Sequence, residues 1–547
     1  MTTNLLIDMG DFLDNHIEDI LAGMPSPKEI IQQELEEEIK RLSMFRLISL
    51  TILHHRVLGN INLTFSQDEN QEHYPEDIYT SVVIGANGIG KSFLLRAIAD
   101  IFSFLDGQME ERVYKKSPVD YQFSIKYMVG ISTYEFTNID RIEPAGRARR
   151  NYMHTICKRD GEEVRTGQMV APARVIASTM TVTDKFTTVN SGHYIYKGIR
   201  NENSPGTTGT RTMIRKTVSG LLHSLDVKEG FREELADLLE HMGLRPRLEV
   251  SYTVRYRNTF LKPDMTAEQM CDIFEHQDKS FENRKTQLWG TKNFQKLRAD
   301  REKLERVVSF MRNLAERNVN VKKVVLTYSL LEDPQRINAE RDVIEALSAI
   351  DLLTFPSLKV YKGDTNFGFD ESSSGETHLL CQLIGIMSDI EHGSLILIDE
   401  PENSSHPNWQ INYIEWLKNI FNHYCDSHFV IATHSHFILS DLKPESSDII
   451  ALDRGEDGIV RDVAENLNTF NWTVDDILYE VFRIRNTKNE ALERDLERAI
   501  QLMEEKGQAQ EGEIETLLTR FNNVYRGDRD PLGKFIEELK KYAESKS

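Results

Sequence analysis

SVVIGANGIGKSFLLRAIADIF, Ser81 to Phe102, is the stretch on which the fold of the chain turns. Val82, Val83 and Ile84 are a short apolar run of the kind that makes a buried strand. Gly85-Ala86-Asn87-Gly88-Ile89-Gly90-Lys91-Ser92 follows, and the spacing of Phe93, Leu94, Ile98 and Ile101 predicts a helix beyond it. Strand, glycine-rich turn and helix start are the setting in which GxxxxGK[ST] works as a P-loop. The glycines let successive backbone N–H groups curl around a phosphate, and the helix N-terminus adds partial positive charge. In that reading Lys91 reaches the terminal phosphates of ATP and Ser92 offers its hydroxyl to Mg²⁺. The plainer alternative, a glycine-rich turn that happens to carry Lys-Ser, leaves the flanking strand and helix unexplained.

Around this stretch the composition sets bounds. A chain of 547 residues has room for two or three domains with substantial cores. No apolar run approaches the roughly 18 residues a membrane helix needs. The opening MTTNLLIDMGDFLDNHIEDIL is acidic and amphipathic, unlike a signal peptide. A cytoplasmic protein with no membrane contact is therefore expected. Cys157, Cys271, Cys381 and Cys425 form no CxxC pair, so neither a disulfide framework nor a zinc site is expected. A net charge of −21 argues against a protein that coats nucleic acid indiscriminately. Ser103 to Asp226, however, holds 18 Lys and Arg against 13 Asp and Glu. Its clusters are Arg147, Arg149 and Arg150, then Lys158, Arg159 and Arg165, then Arg211, Arg215 and Lys216. Basic loops of this kind bind nucleic acid or form a solvated, mixed-charge face.

Downstream, Ser394-Leu395-Ile396-Leu397-Ile398-Asp399-Glu400 is an apolar strand ending in two carboxylates, the Walker B pattern. Asp399 would hold the Mg²⁺ shell and Glu400 would polarise the attacking water as general base. Ser372-Ser373-Ser374-Gly375-Glu376 opens a helical stretch, Thr377 to Ile390; alone it reads equally as a helix cap. After Phe429-Val430-Ile431 comes Ala432-Thr433-His434-Ser435.

In this order the four segments resemble the ABC-type ATPase heads, in the branch that holds SMC-like and OLD-like proteins. The resemblance covers roughly residues 45–102 and 356–455. It implies an α/β P-loop ATPase head with a helical insert and a helical C-terminal tail. It also implies a homodimer that sandwiches two ATP molecules. Gly85 to Ser92 would hold ATP in one chain, and Ser373, Ser374, Gly375 and Glu376 of the other would close on its γ-phosphate. His434 would be the switch histidine. SSSGE instead of LSGGQ, and Pro401-Glu402-Asn403-Ser404-Ser405-His406-Pro407 after the Walker B strand, depart from transporter ATPases. No Q-loop glutamine can be assigned.

Within the branch, OLD nucleases carry a C-terminal Toprim domain. Here Asp528-Arg529-Asp530 lies in a polar turn with no apolar strand before it, and no His-Asn-His metal pattern occurs. A built-in nuclease is not expected. Arg174 to Ser178, Asp184 to Phe186, Tyr194 to Gly198 and Val474 to Phe482 resemble the Septu-type PtuA ATPases, including those attached to retrons. That resemblance implies an antiphage defence ATPase acting with a separate PtuB-like HNH nuclease. In retron versions a reverse transcriptase and multicopy single-stranded DNA join it. An SMC- or RecF-like DNA-repair clamp and an OLD-like stand-alone nuclease are the alternatives. The expected domains are N-terminal helices at 1–44, an ATPase N-lobe with the P-loop and basic loops at 45–226 and a mainly helical insert at 227–345. An ATPase C-lobe at 346–466 and a helical tail at 467–547, docking a partner or capping the fold, complete the chain.

Overall fold

The structure is a computed structural model describing residues 41–66, 77–112, 118–139, 154–181, 183–200, 209–281, 290–318, 321–354, 356–369, 374–403, 406–443, 445–455, 460–462, 490–504, 512–524 and 532–546. The expected helices at 1–44 fall almost wholly outside these residues, as do Arg147, Arg149, Arg150, Ser372, Ser373, Val474 to Phe482 and Asp528 to Asp530. The chain divides into two compact units, Met1–Asn471 and Trp472–Ser547.

In chain order the strands of the first unit are β1 (Phe45–His55), β2 (Gly59–Thr64), β3 (Tyr79–Gly85), β4 (Gln122–Val129), β5 (Ser132–Thr137), β6 (Ile156–Arg159), β7 (Glu162–Val164), β8 (Val175–Thr179), β9 (Tyr194–Gly198), β10 (Leu248–Thr253), β11 (Val325–Ser329), β12 (Ser357–Lys362), β13 (Thr365–Gly368), β14 (Leu395–Asp399), β15 (His428–Ala432), β16 (Ser447–Arg454) and β17 (Val460–Asp462). Seven of them make the central sheet, in the order β17-β16-β3-β15-β14-β8-β9. Its strands run parallel except for the antiparallel edge strand β17. A parallel sheet covered on both faces needs apolar side chains on both, which is why β8, β14 and β15 are buried throughout. The α/β class and the strand–turn–helix of the P-loop are as expected.

The helix Lys91–Met109 lies between this sheet and a six-stranded antiparallel one, β2-β1-β4-β5-β6-β7. Leu94, Leu95, Ile98, Phe102 and Leu105 share one core with Val83, Leu395, Leu397 and Val430 of the central sheet and with Phe123, Ile125 and Phe136 of the other. A helix apolar on most sides is what such a double burial requires. The helices Thr210–Val227 and Ser374–Asp389 pack on each other, close enough that a Cβ on Gly220 would stand 3.2 Å from Ser388.

Three features differ from the sequence expectation. A helix starts at Thr210, where the Ser-Pro-Gly-Thr-rich run to Arg211 promises a loop and helical periodicity is expected only from Val227. The spacing of Met213, Ile214, Val218, Leu221 and Leu222, all buried, is helical, but the run before it masks the start. The short antiparallel strands β6 and β7 form a hairpin in the expected basic loop region. Finally, β10 pairs with β11 on one side and β12 on the other, so one antiparallel sheet, β11-β10-β12-β13, crosses the expected insert boundary at 345. Partners of β10 lie far away in sequence, and nothing local announces such a pairing.

Among its described residues the second unit has three helices, Glu490–Glu504, Glu513–Val524 and Leu532–Lys546. They enclose a core of Ala499, Leu502, Leu517, Phe521, Ile536 and Leu539. No helix among the described residues is long and apolar enough to cross a membrane.

Candidate nucleotide-binding site

Strand order brings the motifs together. β15 lies between β3 and β14, in parallel register with both, so the C-terminal ends of the three strands open side by side. β3 delivers the P-loop, β14 delivers Asp399 and Glu400, and β15 delivers Thr433 and His434.

The P-loop backbone is left-handed at Gly85 (φ 151°), Gly88 (φ 79°) and Gly90 (φ 116°). A Cβ at Gly85 would stand 2.5 Å from the Leu452 carbonyl oxygen on β16, so the turn closes only around glycine. Lys91 opens the helix after Gly90. Its Nζ donates to Gly85 O at 2.8 Å and lies 2.8 Å from Nε2 and 3.1 Å from Nδ1 of His434. Burial lowers the Lys91 ammonium to about 8, against the pull of Glu400, Glu402 and Asp399. Burial, then the charge of Lys91, lowers His434 to about 4, so its imidazole is neutral at neutral pH.

Ser92 Oγ donates to Asp399 Oδ1 at 3.0 Å. Burial raises the Asp399 carboxyl to about 7, with Ser92 acting in the opposite sense and Glu400 and Asp184 adding to the rise. A hydroxyl beside a buried carboxylate suits a hard cation such as Mg²⁺, which keeps several waters and takes few protein ligands. The described residues hold no group of three or more His, Cys, Asp or Glu that could hold a metal ion. Ser92 and Asp399 are the residues that would hold Mg²⁺, and the ion would supply charge neutralisation at the phosphates.

Glu400 has φ 50°, a left-handed value that costs a non-glycine residue about 1–3 kcal/mol. Its N–H donates to Ala432 O at 2.8 Å, and Oε1 lies 3.7 Å from His434 Nε2. Asp184, whose field reaches Asp399, is held by Arg200 through Nε at 2.8 Å, by the Tyr196 hydroxyl at 2.9 Å and by Phe186 N–H at 3.0 Å. Glu402 accepts from the His434 N–H at 2.6 Å.

Lys91, Ser92, Asp399, Glu400 and His434 thus converge. Gly375 and Glu376 sit instead in the first turn of the helix Ser374–Asp389, which packs against β8 and β9. Ser373 is outside the described residues, and the side chain of Ser374 is not described. Three of the expected basic residues have partners within the fold. Lys158 pairs with Glu135 at 2.8 Å, Arg159 with Asp160 at 3.6 Å, and Lys216 donates to the carbonyls of Gly198 and Arg200. Sequence reasoning missed Glu402 and the Asp184–Arg200–Tyr196 group as parts of the site. The repeated acid in Glu400-Pro401-Glu402 is a signal for the first; Asp184 and Tyr196 lie in stretches that stand out only by family resemblance, which assigns them no place in the site.

A protein-family profile described as "AAA domain, putative AbiEii toxin, Type IV TA system" matches residues 274–440, which include Asp399, Glu400 and His434 but not the P-loop. No curated protein matches the chain. Among solved structures, the SMC head domain from Thermotoga maritima is 10% identical, with a TM-score of 0.31, over 76% of this chain and 98% of that one. The Smc head domain bound to the C-terminal domain of ScpA, from Pyrococcus furiosus, is 11% identical, with a TM-score of 0.30, over 77% and 96%. The recombination mediator RecF with ATP bound is 14% identical, with a TM-score of 0.28, over 77% and 99%. Likenesses this weak carry no weight for function. The profile match and the convergence of P-loop, paired carboxylates and histidine support an ATPase.

Proposed function

We propose that the chain is the ATP-binding and ATP-hydrolysing subunit of an antiphage defence complex of the PtuA type. It dimerises around ATP and controls a separate HNH nuclease. The observation that carries the ATPase part is the arrangement of Lys91, the Ser92–Asp399 pair, Glu400 and His434 at the ends of three adjacent strands. In this reading Lys91 and the P-loop N–H groups bind the β- and γ-phosphates, while Glu400 orients and deprotonates the attacking water. Neutral His434, between Lys91 and Glu400, is placed to accept a hydrogen bond from one and steady the other. Gly375 and Glu376, with Ser373 and Ser374, close on the γ-phosphate held by a second chain. The toxin–antitoxin wording of the matched family is in keeping with a defence role.

The test is affinity capture of the chain from its host with neighbouring genes intact, followed by mass spectrometry and a nucleic-acid gel. A co-eluting HNH protein is the expected result, and a reverse transcriptase with a branched RNA–DNA species would add the retron. A chain recovered alone, bare of protein and nucleic acid, overturns the nuclease-control part and leaves only the ATPase.

A further inference from the structure

The turn carrying His434 is pinned at three consecutive residues. Thr433 N–H donates to Val83 O at 3.0 Å, and Ser435 N–H to Thr433 Oγ1 at 2.9 Å, while Ser435 Oγ reaches Gln410 Oε1 at 2.6 Å. Between them, His434 N–H donates to Glu402 Oε1. That bond differs from its neighbours because Glu402 stands two residues from Glu400, in a turn closed by Asn403 N–H on Glu400 O at 3.2 Å. It ties the backbone that aims Glu400 to the backbone that aims His434. Leu379, Pro401, Trp409, Gln410, Tyr413 and Ile438 line the cleft beside the Glu402 carboxyl, whose Oε2 is buried and whose charged form the Thr433 hydroxyl favours along with the His434 N–H.

We propose that Glu402 is a positioning residue for ATP hydrolysis: its Oε1 fixes the His434 turn, and so holds the imidazole between Lys91 and Glu400. The proposal rests on the ATPase reading of the site. One acceptor oxygen is all the role demands. Burial raises the Glu402 carboxyl while the His434 N–H bond acts in the opposite sense, and glutamine keeps both the shape and a carbonyl acceptor for that N–H. Leucine fills the cleft without an acceptor and leaves the His434 N–H unsatisfied.

The experiment compares Glu402→Gln and Glu402→Leu with the parent by steady-state ATP turnover and by titration with a fluorescent ATP analogue. Glu402→Gln should hold kcat within about threefold, while Glu402→Leu lowers kcat roughly tenfold or more with KM and analogue affinity changed by less than about threefold. Parental kcat in Glu402→Leu, equal impairment of both variants, or loss of analogue binding in Glu402→Leu would each overturn the positioning role. A parent that neither binds the analogue nor hydrolyses ATP overturns the ATPase reading itself, which the variants cannot imitate.

Discussion

His428 provides a sharp test of how the two large sheets are joined. Ser81 Oγ donates to Phe65 O at 2.8 Å, so toward His428 Nε2, 2.8 Å away, it can only accept. Nδ1 accepts from Leu47 N–H at 2.9 Å. The ring is therefore the neutral Nε2–H tautomer, bridging β15 and β3 of the central sheet to β1 of the antiparallel one. A second proton on Nδ1 would break the Leu47 bond and place a cation near the buried Arg46 guanidinium. Burial, and then Arg46, accordingly keep His428 well below its ordinary value of 6.5. The sign follows: as pH falls through 6.5 the unfolded chain takes up a proton that the folded chain refuses, so stability falls with pH. Between pH 7 and pH 5 the loss from this one group is about 2 kcal/mol, at 1.36 kcal/mol per pH unit below 6.5. Other titrations, such as that of Asp399, cancel in the difference between the parent and His428→Asn, which keeps an acceptor for Leu47 but cannot titrate. Urea unfolding followed by tryptophan fluorescence should show the parent's advantage shrinking by that amount from pH 7 to pH 5. A difference that stays flat with pH refutes the neutral, locked imidazole.

Lys91→Ala should weaken ATP binding by roughly 10- to 100-fold, the worth of a charge-assisted contact, measured with a fluorescent analogue; undiminished affinity would sink the P-loop assignment. Glu400→Gln should keep ATP binding but cut turnover by about 10²-fold or more and accumulate a nucleotide-bound dimer on size exclusion. Full hydrolysis by that variant removes Glu400 as base. Gly85→Ala should lower the melting temperature by roughly 1–3 °C from left-handed strain, and further through the clash with the Leu452 carbonyl. An unchanged melt would mean that the β3–β16 pairing yields more easily than its geometry implies.

Where backbone period and burial agree, the sequence was legible. The apolar runs of β3, β14 and β15 read as buried strands because a doubly covered parallel strand has no polar face to confuse the pattern. Lys91, Ser92, Asp399, Glu400 and His434 could be named because each ends such a run or opens the helix after it. The helix from Thr210 was hidden because its first turn is Thr-Arg-Thr behind a glycine, a composition that local reading assigns to a loop. The pairing of β10 with β12 was hidden for another reason: register between distant strands is set by shared burial, which one strand cannot express. Glu402 escaped because its partner is a backbone N–H, and an acceptor of that kind leaves no mark at His434.

Successive residues of an extended strand point to opposite faces, so Asp399 and Glu400 could not both serve one site if β14 simply continued. Asp399, the last residue of the strand, aims at Ser92. The chain then leaves the extended region at Glu400, with φ 50°, and the turn swings its carboxylate toward His434. Strain of this kind persists only where surrounding bonds over-determine it. Here they are the Glu400 N–H on Ala432 O, the Asn403 N–H on Glu400 O, and the His434 N–H on Glu402. Two of the three run to the end of β15 or the turn beyond it. The strand between the P-loop strand and the carboxylate strand therefore does more than deliver a histidine: it holds the backbone conformation that turns two adjacent acids toward one site.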